Sequence, residues 1–192
     1  MAAHHVIRPA TTDDIDHLLR LRQVMFDAVD EPIPPSARRP GTPDWHVTCR
    51  EFLTDGFAAG TIGAFVAVAV ARTEAVSGAV AGRPGGGLDG AGGEGRIVGG
   101  GVGDIRRRLG GPQEPTGRYG HVASMATEPA WRSQGIGRAV VEALLGWFVA
   151  QGITRVELHA TPAGEPIYRA LGFGESHYPA LRWTVDRQKE HA

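Results

Sequence analysis

The sequence predicts an α/β fold, a mixed central sheet flanked by helices. Two observations carry this. Short runs rich in valine, isoleucine and phenylalanine alternate with amphipathic stretches of helical period. Their order along the chain, βααβ, a glycine-rich insertion, then ββαβαβ, is that of an α/β sandwich on a mixed sheet.

Val6 to Arg8 reads as a short first strand. Thr11 to Asp14 then supply cap oxygens and acidic first-turn residues. Ile15, Leu18, Leu19, Arg22 and Phe26 follow at helical spacing, so a first helix is expected over about 13–28. The prolines between Asp30 and Pro43 stop it. Asp44 caps a second helix over about 45–55, with Trp45, Cys49, Phe52 and Leu53 on one face. Gly63 to Ala71 is the next strand. Eight of the fourteen residues from Gly82 to Gly95 are glycine. Such a run buries too little apolar surface to offset its ordering entropy, so a flexible insertion is expected at about 78–96, inside a single domain spanning 1–192. Strands follow over about 97–106 and 118–127, with Arg106 to Arg108 read as a solvated strand end. Gly135 to Gln151 is a strongly amphipathic helix. A strand over 154–160, a helix over 164–171 ending at Gly172, and a strand over 181–185 complete the order.

Composition excludes several functions. Net charge is -1, so no basic stripe calls for nucleic acid or an anionic membrane. No apolar run approaches the ~20 residues of a membrane helix, and the amino terminus lacks a secretory pattern. A cytoplasmic protein is the expectation. One cysteine, Cys49, permits no intramolecular disulfide and reads as a packing residue. No metal-ligand pattern is present, and the oligomeric state is left open, a homodimer included.

The chemistry lies in Arg132-Ser133-Gln134-Gly135-Ile136-Gly137, followed by Arg138, between a strand and a long helix. A helix N-terminus offers converging N–H donors and the positive end of its dipole. Glycines at the turn let an anion approach without meeting Cβ atoms, and Arg132 and Arg138 add charge. This is a pyrophosphate site. A dinucleotide fingerprint would need a third glycine where Val140 stands, and an acid about twenty residues on.

The run Ser124 to Gly137 resembles the acetyl-CoA-binding motif of the GNAT acetyltransferases, R/Q-x-x-G-x-G/A. Ile167-Tyr168-Arg169-Ala170-Leu171-Gly172-Phe173 resembles their second hallmark, a tyrosine before Leu-Gly-Phe. The resemblance is tight over about 119–175. It implies a GNAT-like fold and transfer of an acetyl group from acetyl-CoA to a primary amine, a small molecule more than a protein, by direct attack in a ternary complex. A non-catalytic CoA-binding module is the alternative. Position by position, it implies that Met125, Ala126 and Thr127 pair with the pantetheine amides, that Arg132 to Arg138 hold the pyrophosphate, and that Tyr168 protonates the departing thiolate. His121, four residues before Met125, is the candidate base, since histidine titrates near neutral pH. Alternation along the strand places 121, 123 and 125 on one face, with Tyr119 beside them. Further acceptor-site candidates are Met25, Phe26, Asp27, Asp30, Glu31, Trp45 and His46. Thr161 stands where many members carry a cofactor-binding asparagine.

Overall fold

The computed structural model describes residues 4–28, 44–70, 95–112, 114–176, 180–181 and 183. Its centre is a five-stranded sheet in the order β1-β2-β3-β4-β5. These strands are β1 (His4–Pro9), β2 (Ile62–Val70), β3 (Ile97–Arg107), β4 (Arg118–Thr127) and β5 (Val156–Leu158). The first four pair antiparallel, and β4 pairs parallel with β5. The sheet is therefore mixed, as the sequence predicts. Residues 108–117 return the chain directly from β3 to its antiparallel partner β4, whereas the parallel pair β4–β5 requires the crossover helix α3 (Ile136–Ala150).

Helices α1 (Ile15–Asp27) and α2 (Trp45–Ala58) cover one face. There Ile15, Leu18, Leu19, Leu21 and Leu53 pack on Ile62, Ala64, Val66 and Val102. Helix α2 runs three residues further than expected because Phe57 also packs against this cluster. On the other face, Ile136, Val140, Leu144 and Phe148 of α3 pack on Ala67, Val98 and Val122. A short helix, α4 (Glu165–Ala170), carries the second motif. The strand expected at 154–160 shortens to three residues. Asp14 fixes the entry to α1: its buried carboxylate accepts two N–H groups of Arg8 at 2.7 and 2.8 Å and the Thr11 amide at 2.9 Å. The glycine-rich run up to Glu94, the segment holding Asp30 and Glu31, and most of the expected strand at 181–185 lie outside the described residues.

The position of one side chain explains why glycine interrupts β3 and β4. Phe148 is fully buried against the sheet. A Cβ on Gly103 would lie 2.7 Å from its Cζ, and one on Gly120 would lie 2.6 Å from its Cε1. Neighbouring strands thus leave a notch for one ring, and α3 settles close to the sheet.

One feature of β4 departs from the sequence reading. Val102 pairs with Ser124, but its neighbour Gly103 pairs with Val122, leaving Ala123 as an extra residue. This is a β-bulge. His121, Ala123 and Ser124 all open on the α1–α2 side, while Val122 and Met125 pack under α3. The expectation that 121, 123 and 125 share a face fails for Met125, because the bulge shifts the alternation by one residue.

Replacing Phe148 with alanine empties the glycine notch. The expected loss is about 3–5 kcal/mol in urea denaturation, and a loss below about 1 kcal/mol would contradict this packing.

Candidate active site

Strand β4 ends at Thr127, and a 3-10 turn over Pro129–Trp131 leads into the loop before α3. The loop holds two left-handed residues, Ser133 at φ 62° and Gly135 at φ 80°. Glycine takes this conformation freely; for Ser133 it is strained. Arg132 Nε donates to the Thr127 carbonyl at 3.3 Å, and Gln134 Nε2 to the Ala130 carbonyl at 3.3 Å. Buried Ile136 anchors the first turn of α3. The Ala139 N–H returns to the Gly135 carbonyl at 3.0 Å, so the amides just ahead of it are those a helix leaves without an internal acceptor. They sit at an exposed loop, with Arg132, Ser133, Gln134 and Gly135 all exposed. Arg138 is exposed too but pairs with Glu142 at 2.9 Å, so its charge is partly committed along the helix. Helix α4 seats on this turn: a Cβ on Gly137 would meet Ile167 Cδ1 at 3.4 Å.

The strand leading to this loop has an open edge. β4 pairs with β5 only at Gly120, His121 and Val122. From Ala123 to Thr127 its other edge stays bonded to β3, and no described strand continues along the β5 side. Unpaired backbone at a strand edge can take an extended ligand as an added strand. The end of β4 is pinned by Glu128, which is buried, takes its N–H to the Val98 carbonyl at 2.8 Å, and pairs with Arg20 and Arg96.

On the opposite side of β4 lies a cavity of about 400 Å³ between α1, α2, β3 and the bulge. His121 lines it. Its Nδ1 is 3.0 Å from Asp104 Oδ1. A carboxylate can only accept, so Nδ1 donates, and in the neutral ring Nε2 is the nitrogen that carries the lone pair. Arg106 Nε donates to Asp104 Oδ2 at 2.5 Å. Burial pushes the Asp104 carboxyl up, but the bonds from His121 and Arg106 outweigh it and hold the group below its ordinary value. The sequence reading missed Asp104 and took Arg106 for a solvated strand end. The available signal was a charged residue between Gly103 and Ile105, inside the strand and ahead of its arginine end; its partner His121 follows only from the strand register.

The other expected site residues divide. Tyr168 is half-buried, packs edge-on against Phe173 at 5.8 Å, and burial pushes its phenol up. Phe26 lines the cavity and meets Trp45 edge-on at 5.6 Å. Trp45 is at once cavity wall and part of the core cluster, as is Cys49, whose thiol burial pushes up against the opposing charge of Arg22. Met25 receives the Ser124 hydroxyl at 3.8 Å. Asp27 is exposed and binds Gln23 at 2.6 Å, away from the cavity wall. Tyr119 lies under the Arg108 guanidinium at 4.6 Å rather than in the wall. His46 is engaged with the capping Asp44 at 2.8 Å. Thr161 Oγ1 accepts the Gly164 N–H at 3.2 Å and so shapes the turn before α4. Among the described residues, no group of three or more metal-ligating side chains comes together, and no helix is long and apolar enough to cross a membrane.

Residues 71–173 match the model of the acetyltransferase (GNAT) family. No curated protein matches the chain. Solved structures are similar in fold. One is a predicted acetyltransferase from Clostridium acetobutylicum with acetyl-CoA, 18% identical, covering 93% of this chain and 96% of its own, with a TM-score of 0.66. A GCN5-related N-acetyltransferase from Ralstonia eutropha is 21% identical over 94% and 99% of the two chains, also at 0.66. Glucosamine-6-phosphate N-acetyltransferase from Arabidopsis thaliana is 14% identical over 95% and 99%, at 0.60.

A carboxyl held below its ordinary value adds stability that is present above that value and is lost as the pH falls through the folded one. Asp104→Asn should lower stability near neutral pH by about 1–3 kcal/mol, and the gap to wild type should narrow below about pH 4. A gap that stays constant down to about pH 3 in denaturant titrations would contradict the Asp104 network.

Proposed function

The chain belongs to the acetyltransferase (GNAT) family and is an acetyl-CoA-dependent N-acetyltransferase; from that premise we propose how its residues divide the reaction and that the acceptor is a small primary amine. The observation that carries the proposal is the position of β4. Its open edge over 123–127 runs into the amide-rich loop on one side, and its bulge opens into the cavity on the other.

In this reading the pyrophosphate of acetyl-CoA lies on the amides of Gln134 to Arg138, with Arg132 and Ser133 at the rim. The pantetheine arm runs along the backbone of Met125, Ala126 and Thr127. The Met125 side chain is turned under α3, so its contribution is its main chain. The amine enters the cavity beside His121. An alkyl amine is protonated near neutral pH and must lose a proton before it attacks. His121 Nε2 takes that proton, directly or through one water, while Asp104 holds the ring and stabilises the imidazolium, as the acid does for histidine in hydrolase triads. The nitrogen forms its bond to the thioester carbonyl carbon. The tetrahedral intermediate collapses, the C–S bond breaks, the thiolate takes a proton from Tyr168, and the second proton leaving the nitrogen restores the phenol. A phenol is protonated near neutral pH, the state a donor needs, and burial pushes it further that way. Cys49 lines the cavity, but its thiol is pushed up by burial and is a poor nucleophile, which favours direct transfer over an acyl-enzyme.

The roles separate in kinetics. Tyr168→Phe is expected to lower kcat about 10- to 100-fold with a small change in the KM for acetyl-CoA; an unchanged kcat removes the acid role. His121→Gln is expected to remove the decline in kcat/KM on the acid side of the pH profile while CoA binding persists; a mutant profile that keeps this limb removes His121 as base. Free thiol released from acetyl-CoA across an amine panel distinguishes catalysis from CoA binding alone.

A further inference from the structure

The cavity beside His121 has a charge balance that the acetyl-transfer reading does not use. Among its described wall residues, Arg22, Arg106 and Asp104 carry charge. Asp104 is spent: Oδ1 accepts from His121 at 3.0 Å and from Arg106 Nη2 at 3.5 Å, and Oδ2 accepts from Arg106 Nε. An ammonium entering here finds no open carboxylate among the described residues. Arg22 is the opposite case. Its guanidinium is half-buried, donates one N–H to the Ala123 carbonyl at 3.4 Å, and lies 4.9 Å from the centre of the Phe26 ring. No described carboxylate pairs with it. A guanidinium has five N–H donors in a planar fork, so most of its donor capacity faces no partner of opposite charge.

Apart from His121, Thr48 and Ser124, the rest of the wall is mainly apolar. Leu18, Phe26, Trp45, Phe52 and Val102 contribute to it, with the Phe26 and Trp45 rings set edge to face. The carbonyl that Arg22 uses belongs to the extra residue of the β4 bulge, so the same distortion that turns His121 and Ser124 into the cavity also positions the guanidinium. A half-buried cation without a counter-charge is costly unless a ligand supplies one, and a carboxylate fits the guanidinium fork with two parallel hydrogen bonds.

We propose that Arg22 is the anion-recognition residue of the acceptor cavity, and that the acceptor is an amine carrying a carboxylate on an apolar or aromatic body. The inference rests on the acetyl-transfer reading of the site. The carboxylate sits on Arg22, the apolar body lies against Phe26 and Trp45, and the amine is left toward His121. A polycationic amine is disfavoured, because it brings like charge toward Arg22 and finds Asp104 already paired.

The test uses two product analogues that differ by one charge, N-acetyl-L-phenylalanine and N-acetyl-L-phenylalaninamide. Each is titrated calorimetrically into the full-length protein with CoA present. The acid is expected to bind roughly tenfold or more tightly than the amide, an advantage that Arg22→Gln abolishes and Arg22→Lys keeps in part. Equal binding, tighter binding of the amide, or no binding of either up to millimolar concentration overturns the proposal. The wild-type comparison stands even if Arg22→Gln fails to fold. Thiol release with L-phenylalanine, phenethylamine and tobramycin separates this failure from that of the underlying reading. If phenethylamine or tobramycin is acetylated while acid and amide bind alike, transfer stands and the anion site falls. If no amine releases thiol yet the acid binds through Arg22, the anion site stands and the transfer reading falls.

Discussion

The arrangement of the site depends on one extra residue in β4. A regular strand would alternate strictly, and His121, Ala123 and Met125 would then share a face. The bulge at Ala123 breaks that rule. It lets His121 and Ser124 open on the α1–α2 side while Met125 returns to the α3 core. It also falls where β4 loses β5 as a partner, just past Val122. One local change thus gives the strand two different surfaces, an open backbone edge and a polar stretch in a cavity wall. A bulge interrupts ladder bonds and must be held by its surroundings. Here β3 grips the strand on both sides of it, and Glu128 ties the strand end to Arg20 of α1.

The cavity brings together charges that would be costly to bury singly. Asp104 is tolerable because two donors share it: Arg106, two residues along its own strand β3, and His121, opposite it on β4. That arrangement has a chemical consequence as well as a structural one. The carboxylate accepts from Nδ1, so in the neutral ring the lone pair lies on the other imidazole nitrogen. It also leaves Arg22 as the wall's uncompensated charge among the described residues, so the network around the proposed base and the proposed preference for an acidic acceptor have the same origin.

The parts legible in the sequence are those written in consecutive residues. The helix after Gly135 is strongly amphipathic, and its register appears directly as Ile136, Val140, Leu144 and Phe148 on one buried face. The glycine loop and the tyrosine before Leu171-Gly172-Phe173 are local patterns, and the structure seats their two helices together through Gly137 and Ile167. What was not legible depends on pairing. The bulge is a mismatch in count between β3 and β4, and neither strand shows it alone. Asp104 faces His121 because of that register, across seventeen positions of sequence. The acceptor candidates chosen by proximity in sequence fared unevenly for the same reason: Phe26 lies in the wall, while Asp27, one position on, points to Gln23.

In the proposed reading a single strand offers two surfaces, its open edge to the donor and its α1–α2 face to the acceptor, with the proposed phosphate loop at its end. A crystal structure with bound CoA tests this most directly. The account predicts the pyrophosphate on the amides of Gln134 to Arg138, the pantetheine amides paired with the β4 backbone between Ala123 and Thr127, and the thiol between Tyr168 and the cavity of His121. CoA bound away from the β4 edge, or a thiol on the far side of the sheet from His121, would contradict it.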